Sequence, residues 1–308
     1  MTESQSRGSA DDKARLMRRA TYASVSVAAF LIVIKFVAWL MSDSVAMLAT
    51  LVDSMLDAAA SLVNLFAVRQ ALTPADREHR FGHGKAEPLA GLIQSAFIAG
   101  SALFLFVEVG RRLAGPREVQ EGGVALAVMG ASIVLTLALV AYQRHVVRET
   151  ASLAISADKL HYLSDLLANV SVAIAVILAT QFGLHWVDPM FGGIIAIYIV
   201  WSAWQIIRQS LDQLMDRELP DEDRRRIREI ALSHPEVRSV HDLRTRSSGR
   251  DIFIQLHIEL DPSATLVHAH VVSDAVETKI RAAFPAAEII IHQDPEGLDE
   301  PRQTFPKV

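Results

Sequence analysis

Leu51-Val52-Asp53-Ser54-Met55-Leu56-Asp57 sets two carboxylates four residues apart inside a long apolar segment. Positions four apart on a helix lie one above the other on a single face. If this helix crosses a bilayer, each ionised Asp costs about 2.5–3.5 kcal/mol to insert. Two on one face must therefore look into a polar space and share a cation or protons. A second apolar segment carries a matching pair, His161 and Asp165, also four apart. Three carboxylates and one imidazole from two helices form a four-ligand set of the kind that holds a metal ion.

The surrounding composition fits a membrane setting. Half of the 308 residues are hydrophobic and the mean hydropathy is positive, high for a soluble chain with ordinary charge content. The net charge of −5 points to no polyanionic partner such as nucleic acid. The absence of cysteine excludes disulfides and thiolate ligands, so metal chemistry falls to His, Asp and Glu. Residues 1–15 are small, polar and charged and are predicted to form a disordered tail, with no cleavable signal after them.

Six apolar stretches of spanning length follow, at 20–41, 45–71, 88–112, 122–144, 152–181 and 187–208, within a membrane domain of 16–208. Arg7, Lys13, Arg15, Arg18 and Arg19 precede the first. Arg69, Arg77, Arg80 and Lys85 follow the second, and Arg144 and Arg148 follow the fourth. Arg111, Arg112 and Arg117 dilute this bias. It still predicts both termini on the cytoplasmic side.

Beyond residue 208 the pattern becomes that of a soluble domain, 209–295, ending in a flexible tail, 296–308. Pro220-Asp221-Glu222-Asp223 starts a helix that runs to about Ser233. Val237 to Arg246 reads as a strand, Gly249 as a turn, and Asp251 to Leu260 as a strictly alternating, half-buried strand. A helix from Leu266 to Phe284 and a strand from Glu288 to His292 complete the order α-β-β-α-β. The fold class is thus a six-helix membrane domain with a C-terminal cytoplasmic α+β domain, its helices on one sheet face.

Three groups of ligating residues stand out. Asp53, Asp57, His161 and Asp165 form the first, with Asn64 and Asn169 continuing their faces. Interhelical hydrogen bonding would also place polar groups in spans, but three clustered acids without Lys or Arg in either pair need a cation or protons. One nitrogen among oxygens favours zinc or cadmium and leaves iron, cobalt and nickel open. Asp76, His79 and His83, in the connection after the second span, form a second group, although loop glycines break a regular helical spacing and such loops are often simply solvated. In the soluble domain, His257 lies on the polar side of its strand, His241 opens a neighbour, His292 and Asp294 close the last strand, and His268 and His270 sit at a helix start. Histidines converging on one sheet edge suit a metal site.

Five stretches resemble the cation diffusion facilitator family, specifically its bacterial zinc and cadmium exporters. They are the opening stretch, Phe81-Gly82-His83-Gly84-Lys85-Ala86-Glu87, Asp158-Lys159-Leu160-His161-Tyr162-Leu163-Ser164-Asp165, His241-Asp242-Leu243-Arg244-Thr245-Arg246 and Ile291-His292-Gln293-Asp294-Pro295. The resemblance runs from about Arg15 to Pro295. It implies a homodimer of six-span protomers in a bacterial inner membrane, with metallochaperone-like cytoplasmic domains, exchanging divalent metal ions for protons. It implies that Asp53, Asp57, His161 and Asp165 are the transport site and that Asp76, His79 and His83 are a second site. His241, His257, His270, His292 and Asp294 would hold two ions between the soluble domains, bridged by His257. Lys85 and Asp216 would pair near the dimer centre, and His268 has no counterpart. Zinc is the implied metal, with cadmium or ferrous iron possible and an iron or manganese exporter of the same family as the alternative.

Two other classes compete. A passive channel could use the four ligands as a selectivity ring, though a near-tetrahedral site holds its ion too tightly for fast conduction. A membrane metal hydrolase needs a motif such as His-Glu-x-x-His, which the chain lacks.

Overall fold

The computed structural model describes residues 3–42, 45–114, 123–182, 187–249 and 251–297. Two compact units emerge, one holding Gly8–Leu211 and the other Asp212–Val308 together with Met1–Arg7. Six long helices come first: α1 (Glu3–Ser42), α2 (Val45–Ala71), α3 (Ala86–Ala114), α4 (Gly123–Thr150), α5 (Leu153–Phe182) and α6 (Val187–Leu214). Five contain stretches long and apolar enough to cross a membrane: Asp11–Met41, Thr50–Ala71, Ala86–Arg111, Ala127–Thr150 and Met190–Leu214. The fifth helix, α5, is 30 residues long. The side chains of 171–182, in the distal part of α5, and of 183–189 after it lie outside the described residues, as does the expected tail 298–308.

Two ends differ from the sequence expectation. Residues 1–15 were predicted to be disordered, yet α1 reaches back to Glu3. That segment has no proline and a single glycine, and Arg15 pairs with Asp12 one turn back at 3.4 Å. At the other end α6 continues past 208 to Leu214 because nothing before Asp216 breaks it; Asp216 takes a positive φ of 56°.

The first unit is built inside out relative to a soluble protein. Phe30, Phe36 and Leu40 of α1, Phe66 of α2, Leu103 and Phe104 of α3, and Ile197, Trp201 and Trp204 of α6 all face outward. Ser24, Ser61, Gln94, Gln143 and Asp158 are buried. Large apolar side chains outward and polar ones inward is the arrangement a lipid solvent selects. Gly91 shows how tightly the helices pack. A Cβ there would lie 2.6 Å from Ser210 Oγ, so only glycine lets α3 approach α6 at that point.

The second unit follows the expected order: α7 (Asp221–Leu232), β1 (Ser239–Ser248), β2 (Asp251–Leu260), α8 (Leu266–Ala283) and β3 (Ala287–Pro295). The β1–β2 hairpin turns through Gly249 at φ 63°. β2 pairs antiparallel with β1 and parallel with β3, and α8 makes the crossover that a parallel pair requires. Ile254, Leu256 and Ile258 of β2 pack with Ile227 of α7 and Val272, Val276 and Ile280 of α8, all nearly inaccessible. Both helices therefore cover one sheet face and leave the other free for polar side chains. Ile254→Ala opens a cavity at the centre of this core and is expected to cost about 2–5 kcal/mol. A lower urea midpoint for the soluble unit checks this, and an unchanged midpoint would contradict it.

Candidate metal centres

In the membrane unit, α2 and α5 bring Asp57, His161 and Asp165 together, with one ligand atom of each within 4.8 Å of the others. His161 Nε2 lies 3.1 Å from Asp57 Oδ1 and 3.8 Å from Asp165 Oδ2. The imidazole is buried, and its Nδ1 has no hydrogen-bond partner among the described residues. Asp53 is on the same stripe of α2 but is exposed in the protomer and does not join the trio. Asn64 is buried and Asn169 exposed, so the two asparagines do not share an environment.

Two devices hold α5 in register with α2. Glu87, at the start of α3, accepts from Ser152 Oγ and from Leu153 N–H, both at 3.2 Å, and so caps the N-terminus of α5. One turn before His161, Asp158 is fully buried. Its carboxylate accepts from Ser24 Oγ of α1 at 2.6 Å, Gln143 Nε2 of α4 at 2.7 Å and Gln94 Nε2 of α3 at 3.4 Å. Tyr162 shares a 2.8 Å hydrogen bond with Ser61 of α2. α1, α2, α3 and α4 thus each have a polar hold on α5, α6 packs on it through apolar side chains, and the rotation that aims His161 at Asp57 is fixed by packing and hydrogen bonds together. The sequence reading gave none of these residues this role. The signal was available in Asp158, an acid inside a span.

The loop after α2 gathers Asp76, His79 and His83, again within 4.8 Å. Turns rather than a helix do this. Asp76 Oδ1 accepts from the N–H groups of Glu78 and His79 at 2.9 and 2.7 Å, and Gly82 takes a φ of 78°. His83 Nδ1 donates to the Thr73 carbonyl at 3.3 Å, which leaves Nε2 facing Asp76 at 3.4 Å with its lone pair free for a metal. The backbone N–H of His79, and then that of Glu78, holds the Asp76 carboxyl below its ordinary value, with the nearby imidazoles adding to it.

On the open face of the soluble sheet, His241, His257 and His292 form a row across β1, β2 and β3, each in register with the next. Ring centroids are 5.2 Å apart for the first pair and 4.7 Å for the second. The alignment depends on a β-bulge between His241 and Arg244, where Asp242 has a φ of 45°. Residues three apart in a regular strand point to opposite faces. The extra residue lets both His241 and Arg244 pair with residues of the same face of β2, His257 and Gln255.

Asp294, two residues beyond His292, places its carboxylate among the rings. Its Oδ2 is 2.9 Å from His257 Nδ1 and 3.1 Å from His241 Nε2, and its Oδ1 is 3.2 Å from His292 Nε2. His241, His257 and Asp294 have the mutual spacing of a three-ligand set, with His292 beside them. Burial works to raise the Asp294 carboxyl, but the hydrogen bond from His257 and the charges of His257, His292 and His241 outweigh it and hold it low. Within one protomer His270 stands apart, exposed on α8 and 3.5 Å from Asp274. His268 pairs with Glu236.

Residues 21–215 match the cation efflux transmembrane domain and 219–296 match the cation efflux protein, cytoplasmic domain. The cation-efflux pump FieF of Klebsiella pneumoniae is 48% identical over 284 residues, covering 92% of this chain and 94% of that one. FieF of Shewanella oneidensis is 46% identical over 287 residues, covering 93% and 97%. Among solved structures, the nickel form of the MamM CTD is 29% identical, covers 25% of this chain and 99% of that one, and aligns with a TM-score of 0.24. Matched across both of its domains, the chain belongs to the cation efflux, or cation diffusion facilitator, family of multi-pass membrane proteins that export divalent metal ions.

Proposed function

We propose that this chain is a proton-coupled antiporter that exports zinc, and also cadmium, from the cytoplasm across a bacterial inner membrane. It would work as a homodimer by alternating access, with both termini cytoplasmic. The observation that carries this reading is the trio Asp57, His161 and Asp165, drawn from two helices of the membrane unit. Asp53, one turn away on the same stripe, completes the proposed ligand set when the ion enters. Two or three carboxylates in a low-dielectric bundle need a dication or protons. Metal binding requires deprotonated ligands, so an ion and protons displace one another at the same atoms. That exclusion is the physical basis of exchange. His161 and the carboxylates facing it are the proton carriers in this scheme.

Asp76, His79 and His83 are proposed as a second site at the cytoplasmic entrance, and the histidine row with Asp294 as a resident zinc site. The imidazole and carboxylate donors of that row suit zinc. Once bound, zinc would stabilise the soluble unit and report cytoplasmic metal level.

Metal uptake into proteoliposomes containing the full chain, with an imposed pH gradient, tests the proposal. Zinc and cadmium flux that follows the gradient is expected. Flux indifferent to the gradient would make the protein a channel, and preference for ferrous iron or manganese would overturn the choice of substrate.

A further inference from the structure

Lys35 lies inside α1, in the apolar run Leu31-Ile32-Val33-Ile34-Lys35-Phe36-Val37. An ammonium in a spanning helix is costly and must find polar partners. Here it donates to Ser54 Oγ at 2.6 Å and to the Thr50 carbonyl at 3.2 Å. Both partners are neutral, so they anchor the cation without cancelling it. Thr50 and Ser54 are one turn apart on α2. Their stripe runs beside that of Asp53 and Asp57, with Ser54 adjacent to Asp53 in sequence and one turn before Asp57. From that anchor the ammonium acts electrostatically on Asp53 and, across the helix pair, on Asp165.

We propose that Lys35 is a built-in counter-cation of the transport site. It offsets part of the carboxylate charge when the site is empty and opposes the metal ion when the site is full. The inference rests on reading Asp53, Asp57, His161 and Asp165 as that site. The charged groups of the site that Lys35 acts on are Asp53 of α2 and Asp165 of α5, and Asp57 and His161 belong to the same cluster. With the site empty, the ammonium offsets part of the clustered carboxylate charge in the low-dielectric bundle. With a dication bound, the like charge of Lys35 weakens its hold, and the ion leaves more readily on the far side. Lys35 is therefore a positioning charge that trades affinity for turnover.

Initial rates of zinc flux into proteoliposomes, measured across zinc concentration for the full-length chain, test this. Lys35→Met is expected to lower KM by about tenfold, because a like charge beside the proposed ion site has been removed, and to lower kcat as release slows. Lys35→Gln, which keeps a polar hold on Ser54, is expected to behave like Lys35→Met and serves if the methionine variant fails to assemble. Lys35→Arg retains the charge and should stay within about twofold of the wild type in both constants. An unchanged or raised KM in the neutral variants overturns the proposal. So does an arginine variant as altered as the neutral ones, because length rather than charge would then matter. Asp57→Ala, run alongside, separates the two readings. If it transports normally, the site itself is misassigned; if it is inactive while the neutral variants match the wild type, only the role of Lys35 falls.

Discussion

Asp57→Ala in the reconstituted chain is expected to abolish gradient-driven zinc flux and to weaken zinc binding at the membrane site at least about 100-fold. Asp57 is the α2 member of the trio, 3.1 Å from His161 Nε2 and within reach of the Asp165 carboxylate. Removing one partner from a buried set of charges costs about 3–5 kcal/mol. Each 1.4 kcal/mol is a factor of about ten, so the loss amounts to two orders of magnitude or more. Asp53→Ala should be milder, because Asp53 is exposed in the protomer and lies outside the trio. Isothermal titration and the flux assay measure both variants. Equal losses would mean that Asp53 contributes to the occupied site as much as Asp57 and that its exposure in the protomer is no guide to its role. Near-normal flux in Asp57→Ala would remove Asp57 from the pathway.

This ranking of two aspartates shows where sequence reading stops. A spacing of four puts Asp53 and Asp57 on one stripe of α2. Which of them meets α5 depends on where the two helices cross, and that is decided by contacts distant in sequence, such as Ser61 with Tyr162. Local patterns were read far more closely. The alternation of Asp251–Leu260 gave β2 to the residue, and Leu266 was the observed start of α8. Both signals are carried by the element itself. The bulge at Asp242 has no such signature, since a non-glycine residue at positive φ is set by its sheet partner. Lys35 was overlooked for the opposite reason. A window that averages hydropathy passes over one cation in an apolar run, although a lone charge in a span is a functional signal by default. The N-terminal part of α1 was read from polarity, when the absence of proline was the better guide to its helicity.

Asp294→Ala is expected to abolish the zinc-dependent stabilisation of the soluble unit. Asp294 is the common neighbour of His241, His257 and His292, at 3.1, 2.9 and 3.2 Å. It is buried, whereas His292 is largely exposed. Truncating it removes one proposed ligand and also the carboxylate that orients the remaining imidazoles. In the wild type, zinc at a hundredfold excess over its Kd should add about 2.7 kcal/mol, which for a unit this small raises the thermal midpoint by about 10–20 °C. The variant should show almost none of this shift while keeping its fold without metal, because the hydrophobic core lies on the other face of the sheet. The pH dependence has a defined sign. The folded-state Asp294 carboxyl is depressed, so its stabilising contribution is present above the ordinary carboxylate value and lost as pH falls through the depressed one. Protons and zinc compete for the same ligand atoms, so zinc stabilisation should weaken as pH falls, while the metal-free contribution of Asp294 persists until its depressed carboxyl protonates. Thermal melts with and without zinc, taken over a series of falling pH, measure both effects. A zinc shift that survives in Asp294→Ala would place the resident metal elsewhere in the soluble unit.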